Sequence, residues 1–576
     1  MDPVTRRRWL PRGAEPSGAT VTALATGLGI PQLAARLLAV RGLNGDDARD
    51  FLHGRLADLP DPLLLPDMEL AAARVAAAIR AAEPISVHGD YDVDGITGTT
   101  LLVEGLRGCG GQVDYHLPLR LKDGYGLSGA GLEAAAAAGV KVVISVDCGI
   151  SAHAEARLAH DLGLDLIVTD HHQPPPELPA AYALVNPQRA ESRFPCPDLA
   201  GVGVAFFLLV AVRRLLRDGG WFASRREPDA RELLDLVALG TIADLVPLRG
   251  VNRTLTRAGL ALLDAARRPG IAALKEVAAV KAVNCGVVGF QLAPRLNAAG
   301  RLEDAARGVE LLLERDRARA LETARFLDRV NRERQQIELQ TLDEALTMVA
   351  GLPAERSHSI VLARDGWHSG VIGIVASRLV EQFHRPTLLI ALTGETGKGS
   401  GRSIRGIHLF RVLQECAGHL LIFGGHEMAA GLSISREQVE PFMATFERLA
   451  REALAEEDLV PVISYDGAVA LDEIDFAAAD ELERMAPYGM GNPEPVFLIE
   501  GARARQLQRV GESHLRFIAC QGGESHLAIA FGMASRIHEF QGDVDLLVSP
   551  QINRYQGRET VQLRVRDVRT HAWGDV

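Results

Sequence analysis

The stretch PISVHGDYDVDGITGTT, residues 84–100, ends a short β-branched run in His88 and follows it with Asp90, Asp92 and Asp94. Carboxylates this close raise one another's proton affinity unless a cation neutralises them. A divalent-metal site is therefore the first chemistry the pattern offers. Asp90-x-Asp92-x-Asp94-Gly95 also matches the opening of an EF-hand loop, but Leu101 stands where that loop needs its bidentate Glu, so the EF-hand is excluded. The same residue types recur downstream. KVVISV (141–146) runs into Asp147, LDLIVT (164–169) into Asp170-His171-His172, and the apolar ELLDLVALGTIA (232–243) into Asp244. Singly, an Asp after a strand is often a helix cap, and paired histidines are more often surface groups than ligands. Together, His88, Asp92, Asp94, Asp147, His171 and Asp244 suffice for two divalent ions that share one bridging carboxylate. Oxygen and imidazole donors without thiolate favour Mn2+ or Mg2+ over structural zinc.

The elements that must carry these groups are short apolar strands alternating with Ala-rich helices. Residues 84–88, 113–117, 141–146 and 164–169 read as strands, and 130–139 as one of the helices between them. This βαβ rhythm predicts a largely parallel sheet covered on both faces, with ligands at the carboxyl ends of its strands. The acids and histidines fall at those ends.

At 576 residues the chain is too long for one core. No apolar run reaches the length of a membrane span, and the start, MDPVTRRRWLPRG, lacks the apolar stretch of a signal peptide. The six cysteines are scattered without a C-x-x-C, which argues against a zinc ribbon or disulfide framework and for a reducing, cytoplasmic setting. A net charge of −12 speaks only weakly against nucleic acid, because a polyanion responds to a local basic surface.

HGDYDVDG, VDCG, TDHH and GTIADLVPL resemble the successive motifs of the DHH phosphoesterase family. RLKDGYGLS, QLAPRLNAAGR, GWHSGVIGIVASRL, SGRS and GGHEMAAG extend the resemblance to the bacterial single-strand-specific DNA exonucleases within it, from about Trp9 to the C-terminus. The resemblance implies an α/β protein. A parallel-sheet DHH domain is joined by a long helix to a smaller α/β DHHA1 domain, and a C-terminal all-β OB-fold barrel follows. The corresponding ranges are a helical lead-in at 1–82, the DHH domain at 83–302, the helix at 303–350, DHHA1 at 351–455 and the barrel at 456–576. It further implies one metal on His88, Asp92 and Asp147 and another on Asp94, Asp147, His171 and Asp244. Asp147 would bridge the two, His172 would face the scissile phosphate, and Asp90 would be left without a ligand role. Arg120, Tyr125, Arg301, Arg364, His368, Arg402, Ser403, Arg405, Gly424, Gly425 and His426 would bind substrate. The implied activity is hydrolysis of single-stranded DNA, 5′→3′, to 5′-mononucleotides, in DNA repair and recombination. A single-strand-binding protein and a helicase are the expected partners, and a monomer is the expected state. The rivals are a phosphodiesterase of the same family acting on short oligonucleotides or cyclic dinucleotides, and a non-catalytic scaffold.

Residues 303–350 carry helix formers throughout, with apolar residues at helical spacing and a charged opposite face, which predicts one long solvent-bridging helix. Beyond it, Gly424-Gly425 before His426 allow close backbone approach to an anion, with donation expected from amides at the start of a following helix. Arg402 and Arg405 add cationic forks. TGETGKGS lacks the P-loop spacing, and HEMAA lacks the second His of a metalloprotease helix. The C-terminal part shows short alternating strands with Arg503, Arg505, Arg509, Arg516, Arg554, Arg564 and Arg566, interleaved with Phe517, Phe531 and Tyr555. That combination suits single-stranded nucleic acid, where arginine tracks phosphate and aromatics stack bases.

Overall fold

In the computed structural model, which describes residues 7–118, 126–353 and 357–570, the β-branched runs lie side by side in one parallel sheet. Its strands are β1 (Pro84–Gly89), β2 (Gln112–His116), β3 (Val142–Val146), β4 (Asp165–Thr169) and β5 (Ala183–Val185), in the order β2-β1-β3-β4-β5. The strands alternate their side chains between two cores. Ile144 and Val146 join one apolar cluster while Val143 and Val168 join another on the opposite face. Burial on both faces is what a parallel sheet requires, and it explains why these strands read as unbroken apolar runs. In this strand order the topological switch lies between β1 and β3, and sheets of this kind bind ligands at the carboxyl ends beside that point. Three buried helices complete the setting: α1 (Val93–Gly108), α2 (Gly201–Asp218) and α3 (Leu234–Ala243).

The chain divides into two compact units, one holding Pro11–Asp328 with Ser464–Val576 and the other the chain up to Leu10 with Arg329–Ile463. The first contains the parallel sheet and, at its C-terminal end, a closed five-stranded barrel. The barrel strands are β11 (Phe497–Val510), β12 (His514–Gln521), β13 (Glu524–Ala530), β14 (Asp543–Tyr555) and β15 (Arg558–Thr570), in the order β11-β12-β13-β15-β14. Polar residues crowd the second half of β11 (ARARQLQR). The N-terminal helices Gly18–Leu28 and Gln32–Val40 share a core with this barrel, through Leu33, Leu37, Phe497 and Phe517. The second unit carries a mixed sheet of β6 (Ile360–Asp365), β7 (Thr387–Thr393), β8 (Thr396–Arg402), β9 (Leu420–Gly425) and β10 (Ala429–Ser435). β6 and β7 run parallel and the other neighbours antiparallel. Both sheets and the barrel are the architecture expected from the sequence.

Two local expectations fail. The long helix starts at Arg317, not at 303, and is preceded by a separate helix, Ala306–Leu313. Glu314 adopts an extended backbone, and its carboxylate accepts from the N–H groups of Arg315 and Asp316. The Asp316 carboxylate then accepts from Arg319 N–H at 2.9 Å. These acids cap a new helix, which helix-forming propensity alone does not reveal. The Gly424-Gly425-His426 segment, in turn, leads into strand β10 and not into a helix. Gly425 has φ 145°, and a Cβ there would stand 2.5 Å from the Ala429 carbonyl oxygen. Those glycines close a hairpin. No single described helix is long and apolar enough to cross a membrane.

Candidate metal centre and nucleic-acid interface

Asp92 caps α1, its Oδ1 accepting from Asp94 N–H at 2.9 Å and Gly95 N–H at 3.1 Å. The cap fixes the turn that directs Asp94 inward. Helix α2 begins at Gly201 after Ala200, which has no side chain able to cap it. Its first amides are therefore available, and Gly201 and Val202 donate to the Asp94 carboxylate at 2.7 and 2.8 Å. Only glycine fits there, since a Cβ on Gly201 would come within 3.0 Å of the carboxylate oxygens of both Asp94 and Asp147. Asp147 follows β3 with φ 62°, a left-handed backbone that costs a non-glycine residue about 1–3 kcal/mol and recurs at functional sites. Asp244 is the C-terminal cap of α3.

These separate element ends meet at His171. Its Nε2 lies 3.0 Å from Asp147 Oδ1, 3.5 Å from Asp244 Oδ2 and 3.8 Å from Asp94 Oδ2. Three overlapping groups each offer ligand atoms within 4.8 Å of one another: Asp147, His171 and His172; Asp94, His171 and Asp244; and Asp90, Asp92 and Asp147. Asp90, to which the sequence reading gave no ligand role, lies within reach of Asp92 and Asp147. His88 is not among those groups. Its Nε2 shares a 3.0 Å hydrogen bond with Ser86 Oγ, and its ring lies against His116 with centroids 5.2 Å apart.

In the cluster, acid outweighs positive charge. Burial, then Asp92, pushes the Asp94 carboxyl up to about 7. Burial, then Asp94, lifts Asp147 well above the carboxylate range. Asp244 rises to about 9 for the same causes, and Asp90 also rises, through burial and then Asp92. Burial pushes His171 down to about 4 and His88 down to about 3. In addition, among the described residues His88 Nδ1, Asp90 Oδ1 and His171 Nε2 are buried without a hydrogen bond. Buried polar atoms normally find partners. Acids that resist ionisation beside imidazoles left neutral, with lone pairs unspent, form a donor set that fits divalent cations.

His172 behaves differently. Its Nδ1 lies 2.7 Å from Asp170 Oδ1. Burial opposes protonation of this ring, but the Asp170 hydrogen bond and charge outweigh it and push His172 up to about 9. Asp170 is itself fixed by the N–H groups of Ile150 at 2.9 Å, His171 at 2.7 Å and His172 at 3.1 Å. Burial works against its charge, yet His172 and these bonds hold it below the usual carboxylate range. Sequence reasoning quoted Asp170 within TDHH but gave it no task. It also missed Asn297, whose Oδ1 accepts from Val93 N–H at 3.1 Å and ties QLAPRLNAAGR to the acidic turn. Helix Ala293–Leu302, which holds Asn297, also contains Arg301, half-buried.

The remaining expected substrate contacts scatter. Arg120 and Tyr125 lie outside the described residues. In the second unit, strand register sets Arg364 opposite Ala391 and Arg402 opposite Thr387, on different neighbours of β7 and four residues apart along it. Arg364 lies 3.6 Å from Glu344. Arg402 stands over the start of helix Ile372–Phe383, where a Cβ on Gly373 would meet its Nη2 at 3.2 Å. His368 Nδ1 accepts from Gly370 N–H at 3.1 Å. The buried Ser403 hydroxyl donates to the Ile407 carbonyl at 3.0 Å, which commits it to its own turn. Arg405, Gly424, Gly425 and His426 are exposed.

On the barrel, Phe517 is buried against Phe540, edge-on at 5.2 Å, because the strand period of two turns it inward between Arg516 and Ile518. It is a core residue and not a stacking platform. Arg503 pairs with Asp543, Arg554 with Glu483 and Glu559, and Arg566 with Glu494. Phe531, 51% exposed, and Tyr555, 67% exposed, remain available to a ligand. Arg564 lies over Phe531 at 5.7 Å and 3.8 Å from Glu494, and Arg505 and Arg516 are exposed.

Comparison with known proteins agrees along the whole chain. Residues 84–241 match the DHH family N-terminal domain, 357–452 the DHHA1 domain and 465–567 the RecJ OB domain. The chain is 40% identical over 558 residues to the single-stranded-DNA-specific exonuclease RecJ of Escherichia coli K12, covering 94% of this chain and 96% of that one. Among solved structures, RecJ of Thermus thermophilus in complex with Mn2+ superposes with a TM-score of 0.83 at 33% identity, over 98% of this chain and 79% of that one. The complex of RecJ from that organism with Mg2+ gives 0.78 at 31% identity, over 98% and 78%.

Proposed function

The chain belongs to the RecJ family, and from that premise we propose that it is an exonuclease that degrades single-stranded DNA with Mn2+ or Mg2+ as cofactor. The observation that carries the reading is the convergence of Asp90, Asp92, Asp94, Asp147, His171 and Asp244 at the switch point of a parallel sheet. Those residues, with His88 beside them, would hold the ions, and Asp147 belongs to two of the three groups that could share them. Bound there, two divalent ions supply an activated water and a clamp on the attacking and leaving oxygens. The side chains do the rest. With Nδ1 engaged by Asp170, protonated His172 presents Nε2–H as a donor to the phosphate as negative charge develops on it. Arg301, Arg402, Arg405 and His426 are proposed to hold phosphates of the strand, with Arg120 and Tyr125 from the glycine-bounded RLKDGYGLS motif. Arg364 and His368 are candidates for the same task. The barrel presents Phe531, Tyr555 and Arg564 to the incoming strand. The finer reading is 5′→3′ polarity with release of 5′-mononucleotides, in cytoplasmic DNA repair and recombination, by a monomer that works beside a single-strand-binding protein and a helicase. Its domains are the five ranges stated from the sequence, with the long helix begun at Arg317.

The test is digestion of end-labelled single-stranded DNA in Mn2+, Mg2+ or chelator, with the label at either end. We expect hydrolysis with either ion and none in chelator. A 5′ label should be released first as a mononucleotide. Cleavage that persists in chelator would overturn the metal assignment, and early release of a 3′ label would overturn the polarity.

A further inference from the structure

Asp147 belongs to two of the three ligand groups, and it holds its carboxylate there on a left-handed backbone, φ 62°. Glycine would relieve that backbone, but the centre needs the acid. A strained conformation of this kind persists only where its surroundings over-determine it. The turn is doubly demanding, because Gly149, two residues on, has φ 110°. Residues 147–149 therefore need a brace from outside the turn.

Two buried hydroxyls supply it. Ser145 is the one polar residue of strand β3 (VVISV), and it is fully buried. With the strand period of two it shares a face with Val143, where packing alone would favour another β-branched apolar residue. Its hydroxyl donates to the Cys148 carbonyl at 2.8 Å and so closes the turn over Asp147. Gly149 leaves the room for that bond, since a Cβ there would stand 2.9 Å from Ser145 Oγ. Thr169, equally buried at the end of β4, donates its hydroxyl to the Ser145 carbonyl at 2.6 Å. The Thr169 carbonyl accepts from Asp147 N–H at 3.0 Å, and the Val146 carbonyl accepts from Asp90 N–H at 3.2 Å. The peptide that enters Asp147 is thus held at both its carbonyl and its N–H, and Ser145 holds the carbonyl of the residue that follows.

We infer that Ser145, backed by Thr169, is a positioning residue whose hydroxyl holds the Asp147 carboxylate in the orientation from which two cations can share it. This rests on the metal centre of the proposed function. The experiment uses the full chain, with Mn2+ binding followed by electron paramagnetic resonance of the free ion and cleavage of an oligothymidylate measured at saturating Mn2+. Ser145→Ala should weaken Mn2+ binding about tenfold and lower kcat about tenfold, with KM for the oligonucleotide unchanged. Ser145→Thr, which returns the hydroxyl, should recover both. Thr169→Val keeps the volume nearly equal and should lose Mn2+ affinity in the same direction, so it carries the test if Ser145→Ala does not fold. Alanine at 145, or valine at 169, with the parent's Mn2+ affinity would overturn the inference. A threonine variant no better than the alanine one would also overturn it, because space and not the hydroxyl would then matter. A chain whose Mn2+ affinity follows the hydroxyl but which leaves single strands intact would uphold the positioning role and sink the exonuclease reading. A parent chain that binds no Mn2+ would sink both.

Discussion

The metal centre and the glycine-arginine face of the second unit were predicted from motifs of similar length, and the fold treats them differently. At the centre, residues as distant as Asp90 and Asp244 place ligand atoms within a few ångströms of His171 or Asp147. On the other face, Ser403 turns inward, Gly425 closes a hairpin, and Arg364 and Arg402 lie on different strands, against β7 positions four residues apart. The difference is one of physical demand. Several carboxylates can be buried together only around a cation, so the pattern survives in the sequence as acids at strand ends. Contact with a phosphate needs one exposed donor at a time, and nothing in the local sequence separates it from a solvated arginine.

Substitutions can break or sharpen this contrast. The largest effect belongs to Asp147→Ala, which removes an acid common to two ligand groups. We expect single-strand hydrolysis to fall by about a thousandfold or more. Mn2+ should raise the melting temperature of the parent chain by binding its folded state, and should do so far less for this variant. Asp170→Asn comes next. It leaves the ligands in place but loosens His172, so kcat should drop by about 10–100-fold while bound metal, read by mass spectrometry, stays as in the parent.

How much was legible follows from the same residues. The strands around Val87, Ile144 and Ile167 announced themselves because burial on both faces demands uninterrupted apolar side chains. The cluster of acids and histidines was legible because acids stood directly after those runs. The nearness of Asp90 to Asp92 and Asp147 was not legible, because sequence order says nothing about which oxygens of a turn face inward. Phe517 was misjudged because a five-residue run with arginine beside it does not reveal which face of a barrel strand is inside. Asn297 and the uncapped start of α2 support the site from helices remote in the chain, and such pairings exist only once the fold is formed.

Smaller effects test the outer surfaces. Phe531→Ala with Arg564→Ala should weaken single-strand affinity about tenfold and flatten its dependence on salt, since a base platform and a cation are lost together. Ser403→Ala should do least. It removes one internal hydrogen bond, worth about 1 kcal/mol of stability in a denaturant titration, and should leave substrate affinity as it was. A large loss of affinity in that variant would show that the second face converges after all.

The most direct measurement is anomalous diffraction from a crystal of this chain grown in Mn2+. The account predicts two peaks at the carboxyl ends of β1, β3 and β4, both within coordinating distance of Asp147. A single peak, or peaks away from Asp147 and His171, would contradict it.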